Sequence, residues 1–318
     1  GNHAIRGLYI SIKATSTSDN HANYTGLFGY ADTDSVIRNL TISDSKIENV
    51  STASNKGQYV GAIAGSAGTI ENCHVTDSVT VHGKSYTGGV AGYVNTGITK
   101  SSNAAKVTSE GSNVGGITGN MNGTNMLACY NSGTITGASL VGGLAGALYS
   151  GGTIDSCYNT GTVKATKGVA GGLLGNFRSG TLTNSYTSTL SEAKSAGSVA
   201  GHLEWSSGQK TLNKVYVPAS DLETVGDFNG CTIQNGAAKS KTADELRALT
   251  AEELGDKFKA DTKKQNGGYP ILKWQDPAAT EPEDPDRPES DPNGWDGKET
   301  SIPTQTDGVY QIGTAAKL

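Results

Sequence analysis

Apolar residues in this chain come in short runs, broken by glycine and small polar residues, and the runs recur. One recurring core ends in glycine: GLFG at Gly29, AIAG at Gly65, GVAG at Gly92, GITG at Gly119, GLAG at Gly146, GLLG at Gly175 and SVAG at Gly201. The steps between them are 36, 27, 27, 27, 29 and 26 residues. A second run follows each core: IRNLTI from Ile37, IENCHV from Ile70, ITKSSN from Ile98, MLACYN from Met126, IDSCYN from Ile154, LTNSYT from Leu182 and LNKVYV from Leu212. Val, Ile, Thr and Tyr fill the runs, while Gly, Asn, Ser and Asp fill the gaps, the pattern of short strands joined by turns. The long first step carries an insertion around 47–59, and insertions in repeat units map to one loop. No helical period is sustained before about residue 241.

A unit of about 27 residues cannot bury a core alone, but stacked units share one. The position two before the anchoring glycine is Leu27, Ile63, Val90, Ile117, Leu144, Leu173 and Val199, apolar in every copy. The pattern predicts an all-β fold: a β-solenoid, parallel β-helix or β-roll, of about seven repeats over residues 1–217. The glycines are expected at tight corners, where they supply positive φ or let backbones approach closely.

Aligning the copies gives columns. Cys73, Cys129 and Cys157 share one with Leu40, Ser101, Ser185 and Val215. Small or apolar occupancy marks it as inward, a stack of buried free thiols; a Cys129–Cys157 disulfide is within the reach of adjacent strands. Cys231 lies outside it. Two residues on, Asn103, Asn131 and Asn159 predict either an inward amide ladder or Asn-x-Gly turns. Between these columns runs Thr41, His74, Ser102, Tyr130, Tyr158, Tyr186 and Tyr216. Four consecutive outward tyrosines are the candidate ligand site. They read either as rings stacked to stiffen the sheet or lie under a loop, or as an aromatic platform for a glycan or a partner protein.

After Val217 the pattern changes. Thr242…Glu245 and Thr250…Glu253 are two capping boxes, so 218–275 is expected to be an end cap with two short helices and a GGYPILKW strand. Residues 276–306, rich in Pro and acid, read as an extended linker. Residues 307–318 read as the opening of a further module, cut off at Leu318. The chain opens in mid-pattern, so a missing targeting signal carries no weight.

Composition narrows the function. Forty-four glycines, 6% aromatics and a mean hydropathy of −0.38 suit thin coils rather than a conventional globule. A net charge of −5 gives no basic footprint for nucleic acid, and no run is long and apolar enough for membrane insertion. His3, His21, His74, His82 and His202 show no metal-ligand or triad spacing, and no HExxH or GxSxG occurs. No cofactor, no metal and no catalytic residue is therefore expected. Arg38, Glu71 and Asp155 share a column without forming a cluster. Asp32/Asp34 and Asp291/Asn293/Asp296 read as solvated turns rather than Ca²⁺ sites. Thr80, Thr108 and Thr136 line up before Lys164 breaks the series.

The Gly-Leu-x-Gly core with its Ile-x-x-Cys-Tyr run resembles the GLUG-motif repeats of bacterial surface proteins over residues 1–217, and GGYPILKW resembles the usual close of such regions. Such repeats occur in adhesin-like proteins and in the non-catalytic part of IgA-cleaving metallopeptidases. The resemblance implies an extracellular, cell-surface or secreted, non-catalytic segment. It would serve as a rigid stalk or as a binding surface for a glycan or a host or bacterial surface protein, with further domains in the same chain. The alternative is an accessory region of a large secreted peptidase or carbohydrate-active enzyme.

Overall fold

A computed structural model describes residues 3–276, apart from 17, 19, 54–57 and 206–207, together with the dipeptides 305–306 and 309–310. The chain divides into two units, 2–276 and, with residue 1, 277–318. In the second, Gln305–Thr306 pairs antiparallel with Val309–Tyr310. The rest of the expected linker and following module lies outside the described residues, as do Asp291, Asn293 and Asp296.

The first unit is a stack of coils in which each coil visits three parallel sheets. One coil shows the pattern. Ala91–Thr99 and Ser102–Asn103 lie in a broad sheet, Lys106–Ser109 in a second and Ser112–Gly115 in a third, before Thr118–Asn122 re-enters the broad sheet. The second and third sheets have seven strands each. Every copy stands over its equivalent: Ile70 pairs with Ile98, Ile98 with Met126, Met126 with Ile154, Ile154 with Leu182 and Leu182 with Leu212. All six are buried. The third sheet's Val60, Val114 and Val141 and the second's Val81, Val107, Ile135 and Val163 close the same core. Both runs seen in the sequence belong to the broad sheet. The second and third sheets, most of whose strands bury only one or two apolar side chains, have no counterpart in the repeat as read. The insertion falls largely between Lys46–Asn49 of the second sheet and Tyr59–Val60 of the third.

A kink explains the spacing Ile-x-x-Cys. Strict alternation would point Ile70 and Cys73 to opposite faces, yet both are buried. The residue before the cysteine column is left-handed in every copy: Asn39, Asn72, Lys100, Ala128, Ser156, Asn184 and Lys214 have φ between 46° and 58°. One left-handed residue resets the alternation, as in a bulge. Asn tolerates this region and other L-residues do so at a cost of about 1–2 kcal/mol.

The anchoring glycines do not use positive φ; among the described residues Gly65, Gly92, Gly119, Gly146, Gly175 and Gly201 all lack it. Close approach is the constraint. A Cβ on Gly119 would meet the Tyr86 carbonyl carbon, and one on Gly146 that of Asn113, each at 2.2 Å. The glycines that open the same cores are as crowded: a Cβ on Gly116 would meet Asn131 Cγ at 2.4 Å and the Gly143 carbonyl at 2.2 Å, and one on Gly143 would meet Asn159 Cγ at 2.4 Å. These glycines make room for the asparagine column. There, Asn103 Nδ2 donates to Asn131 Oδ1, and Asn131 Nδ2 to Asn159 Oδ1, both at 2.8 Å. Each Oδ1 also accepts the backbone N–H two residues on, at Ala105, Gly133 and Gly161. The ladder and the Asn turns are thus one device, and it satisfies amides that have no access to water. The ladder ends at Thr187 and Thr189, which accept from Asn159.

The cysteines are free; Cys73, Cys129 and Cys157 are buried and Cys231 is partly exposed. Burial pushes the Cys73 thiol up to about 11. Thr80 does not join the threonine column; it pairs with Lys106, while Thr108 pairs with His82 and Thr136.

The segment after Val217 departs from the expected end cap. Val225–Asp227 and Ala238–Lys241 add a further rung to the broad sheet. Helices Ala243–Arg247 and Ala251–Leu254 form where the capping boxes place them, and Phe258–Lys259 pairs antiparallel with Ile271–Leu272. This part, 242–276, lies along the side of the broad sheet rather than across the end of the stack. Asp276, expected in the linker, bonds Lys259 and Lys263 at 2.8 and 3.0 Å.

Substitutions at two positions test this account. Lys100→Asn should raise stability by about 0.5–1 kcal/mol and Lys100→Val lower it by about 1–2 kcal/mol, in urea unfolding; the reverse order would contradict the left-handed kink. Asn131→Ala, which breaks the ladder at its centre, should cost about 2–4 kcal/mol in the same measurement.

Candidate functional site

The tyrosine column forms as its spacing predicts. Tyr130 pairs with Tyr158, Tyr158 with Tyr186 and Tyr186 with Tyr216. Rings 130 and 158 stack at 4.9 Å, and 158 and 186 at 5.1 Å, within 7° of parallel. Coil spacing sets this distance, so in-register aromatics stack without adjustment.

The column is not an open ridge. Tyr158, Tyr186 and Tyr216 are 1%, 0% and 2% exposed, and Tyr130 is partly buried. Segment 242–276 covers them with Leu246, Leu249, Leu254, Phe258 and Leu272. The hydroxyls of the three buried tyrosines are also used. Tyr158 donates to Gln275 Oε1 at 3.0 Å, Tyr186 donates to the Pro270 carbonyl and accepts from Asn266 Nδ2 at 2.9 Å, and Tyr216 donates to the Glu253 carbonyl at 3.4 Å. Asp261 shapes the Gly-Gly-Tyr turn by accepting the N–H groups of Gln265, Asn266 and Gly268. Trp274 extends the contact, stacking on Tyr130 at 5.7 Å and His74 at 5.2 Å while its indole donates to the Ala128 carbonyl. The expectation of a ligand platform at Tyr130, Tyr158, Tyr186 and Tyr216 is corrected: the column is the seat of an intramolecular clasp. Apolar tyrosine faces next to free hydroxyls suit a segment that brings leucines and carbonyls together. The capping-box helices signalled the segment, but sequence spacing does not say which face it covers.

Burial pushes the Tyr158 and Tyr186 hydroxyls well above the ordinary tyrosine range and pulls His74 down. Among the described residues, no group of three or more His, Cys, Asp or Glu is placed to hold a metal ion. Asp32 accepts the Thr33 N–H in its turn. Arg38, Glu71 and Asp155 keep their common column, and Asp155 binds Ser156 and Asn184.

Two further features carry no repeat signal. On the third sheet Tyr24, Tyr59 and Tyr86 stack at 5.2 and 5.0 Å, with Tyr30 and Tyr93 edge-on. Further along the same corner lies a cleft of about 350 Å³, whose polar lining includes Tyr149, Asn176, His202, Glu204 and Asp227. Its broad-sheet column reads Tyr93, Asn120, Ala147, Asn176, His202 and Asp227 in register. No residue type recurs there in neighbouring coils, so alignment of the copies passes over it.

The model of the GLUG motif matches residues 56–80 and 137–164, so the chain carries GLUG motifs, and they fall on coils of the β-helix. No curated protein matches the chain. The chain is similar to a crystal structure described as a "putative immunoglobulin A1 protease from Bacteroides ovatus", with a TM-score of 0.49 and 22% identity, over 86% of this chain and 76% of that one. No helix among the described residues is long and apolar enough to cross a membrane.

The buried tyrosines make a pH prediction. A tyrosine whose folded pKa is raised stabilises the fold below the unfolded value, about 10, and loses that contribution as pH rises through the folded value. The tyrosines' share of the stability should be level near neutrality and be lost above about pH 10. Tyr158→Phe with Tyr186→Phe should flatten the fall, while a drop of equal steepness in both proteins would contradict ionisation at these rings.

Proposed function

We propose that this chain is a rigid, non-catalytic module of a bacterial protein that works outside the cell, an adhesin-like stalk that holds neighbouring domains in place. The observation that carries the reading is the clasp. Segment 242–276 touches the broad sheet from Tyr216 back to His74, so coils that would otherwise contact only their neighbours are tied into one body. The GLUG motifs support it, because the resemblance they carry is to repeats of surface proteins. The net charge of −5 argues against nucleic acid or an anionic membrane surface as partner.

Pulling the folded chain end to end tests the reading. The clasped coils and the clasp, residues 64–276, should open in one step with a contour gain of roughly 700 Å. A staircase of small steps, coil by coil, would show a compliant array unsuited to a stalk. Release of reducing ends or peptide fragments from substrates by the purified module would show that it is not merely a scaffold.

A further inference from the structure

We infer that two copies of this chain pair antiparallel along the corner between the third sheet and the broad sheet. This goes beyond the stalk reading and does not depend on it.

The corner is one continuous strip. Its broad-sheet column, traced above from Tyr93 to Asp227, extends back through Ser66 to Tyr30. Eight strands at a spacing of about 4.8 Å make the strip about 34 Å long, enough for an interface of standard size. On the third sheet, the stacked Tyr24, Tyr59 and Tyr86 are followed in the same column by Asn113, Leu140 and Val169.

The two halves of the strip differ in chemistry. One half carries the five tyrosines. Tyr30 is 60% exposed, and Tyr24, Tyr59, Tyr86 and Tyr93 are half-buried. Among the described residues nothing hydrogen-bonds their hydroxyls, and none of those hydroxyls is sealed from solvent. The hydroxyls of Tyr158, Tyr186 and Tyr216, by contrast, are all taken by the clasp, which is engaged on that column and leaves this one bare. The other half carries the half-buried Leu140 and Val169 and the carboxylates of Glu204 and Asp227, whose side chains are 34% and 50% exposed. Asn176 and Arg178 hold Glu204 from one side and His202 holds Asp227, so both carboxylates keep lone pairs for a further donor.

Ring edges and free donors at one end thus match aliphatic surface and free acceptors at the other. A partner that offers both in reverse order is a second copy turned end for end. A two-fold axis across the middle of the strip brings Tyr59 and Tyr86 over the second copy's Val169 and Leu140. It also brings Tyr30 and Tyr93 to the end that holds the second copy's Asp227 and Glu204, and every contact is made twice. Hydroxyl-to-carboxylate bonds are of the stronger, charge-assisted kind, and tyrosine is enriched among interface anchors. The tyrosine half has no charged residue in either column, so each copy's carboxylates meet neutral groups. Parallel pairing would instead set carboxylates against carboxylates.

Sedimentation velocity of the whole chain over a concentration series tests this, and a reversible dimer should appear. Tyr30→Glu sets a carboxylate against the second copy's Asp227 and should weaken the dimer at least about tenfold. Asp227→Lys removes the acceptor from Tyr30 and should also weaken it. Mixed in equal amounts, the two variants should recover the dimer, because a mixed pair has one native contact and one between opposite charges. A variant that failed to fold could not rescue the other, so recovery separates loss of pairing from loss of fold. The inference is overturned if the chain stays monomeric throughout the series, if neither variant weakens a dimer that does form, or if mixing two variants that melt as the parent does recovers nothing, which is the result parallel pairing would give.

Discussion

Every side chain in the coils must tolerate a near-copy of itself one strand spacing away. That constraint, in-register parallel stacking, underlies the rest of the structure. It favours residues that gain from meeting themselves. Isoleucine and valine fill a shared core, asparagine bonds to asparagine, and tyrosine stacks on tyrosine. It penalises charge, and the central ladder and cysteine columns hold none. The same constraint brings backbones so close at the corner beside the Asn ladder that positions such as Gly116 and Gly143 have no room for a Cβ.

Stacking alone leaves a quasi-one-dimensional object, stabilised between neighbours only. The clasp changes this by binding rows rather than coils. Its leucines and Phe258 lie across Tyr158, Tyr186 and Tyr216, and Trp274 reaches the row of His74. Most of its hydrogen bonds to the coils go to tyrosine hydroxyls or main-chain carbonyls, so the seat depends on the aromatic column. The tyrosines are therefore structural, in keeping with how completely their polar ends are used.

Much of this was legible because repetition averages out local ambiguity. The period, the inward columns, the free thiols and the two capped helices all follow from spacing and residue type. Four things were not. The left-handed kink was hidden because Asn39, Asn72, Lys100, Ala128, Ser156, Asn184 and Lys214 share a backbone state and no chemistry. The second and third sheets were hidden because strands such as Val163–Ala165 and Val169–Gly171 are too short to show alternation. The destination of the clasp was hidden because a run of outward tyrosines looks the same whether water or leucine covers it. The cleft was missed for a related reason: no residue type recurs in neighbouring coils of its column.

Hydrogen exchange resolved along the chain tests most directly whether the clasp and the coils form one cooperative body. The account predicts that amides of Ala251–Leu254 and Ile271–Leu272 open with the same free energy as those of Thr153–Asp155 and Gly180–Thr187 beneath them, and later than the strands of the terminal coils. Clasp amides that exchange freely while the sheet under the tyrosines stays protected would contradict it.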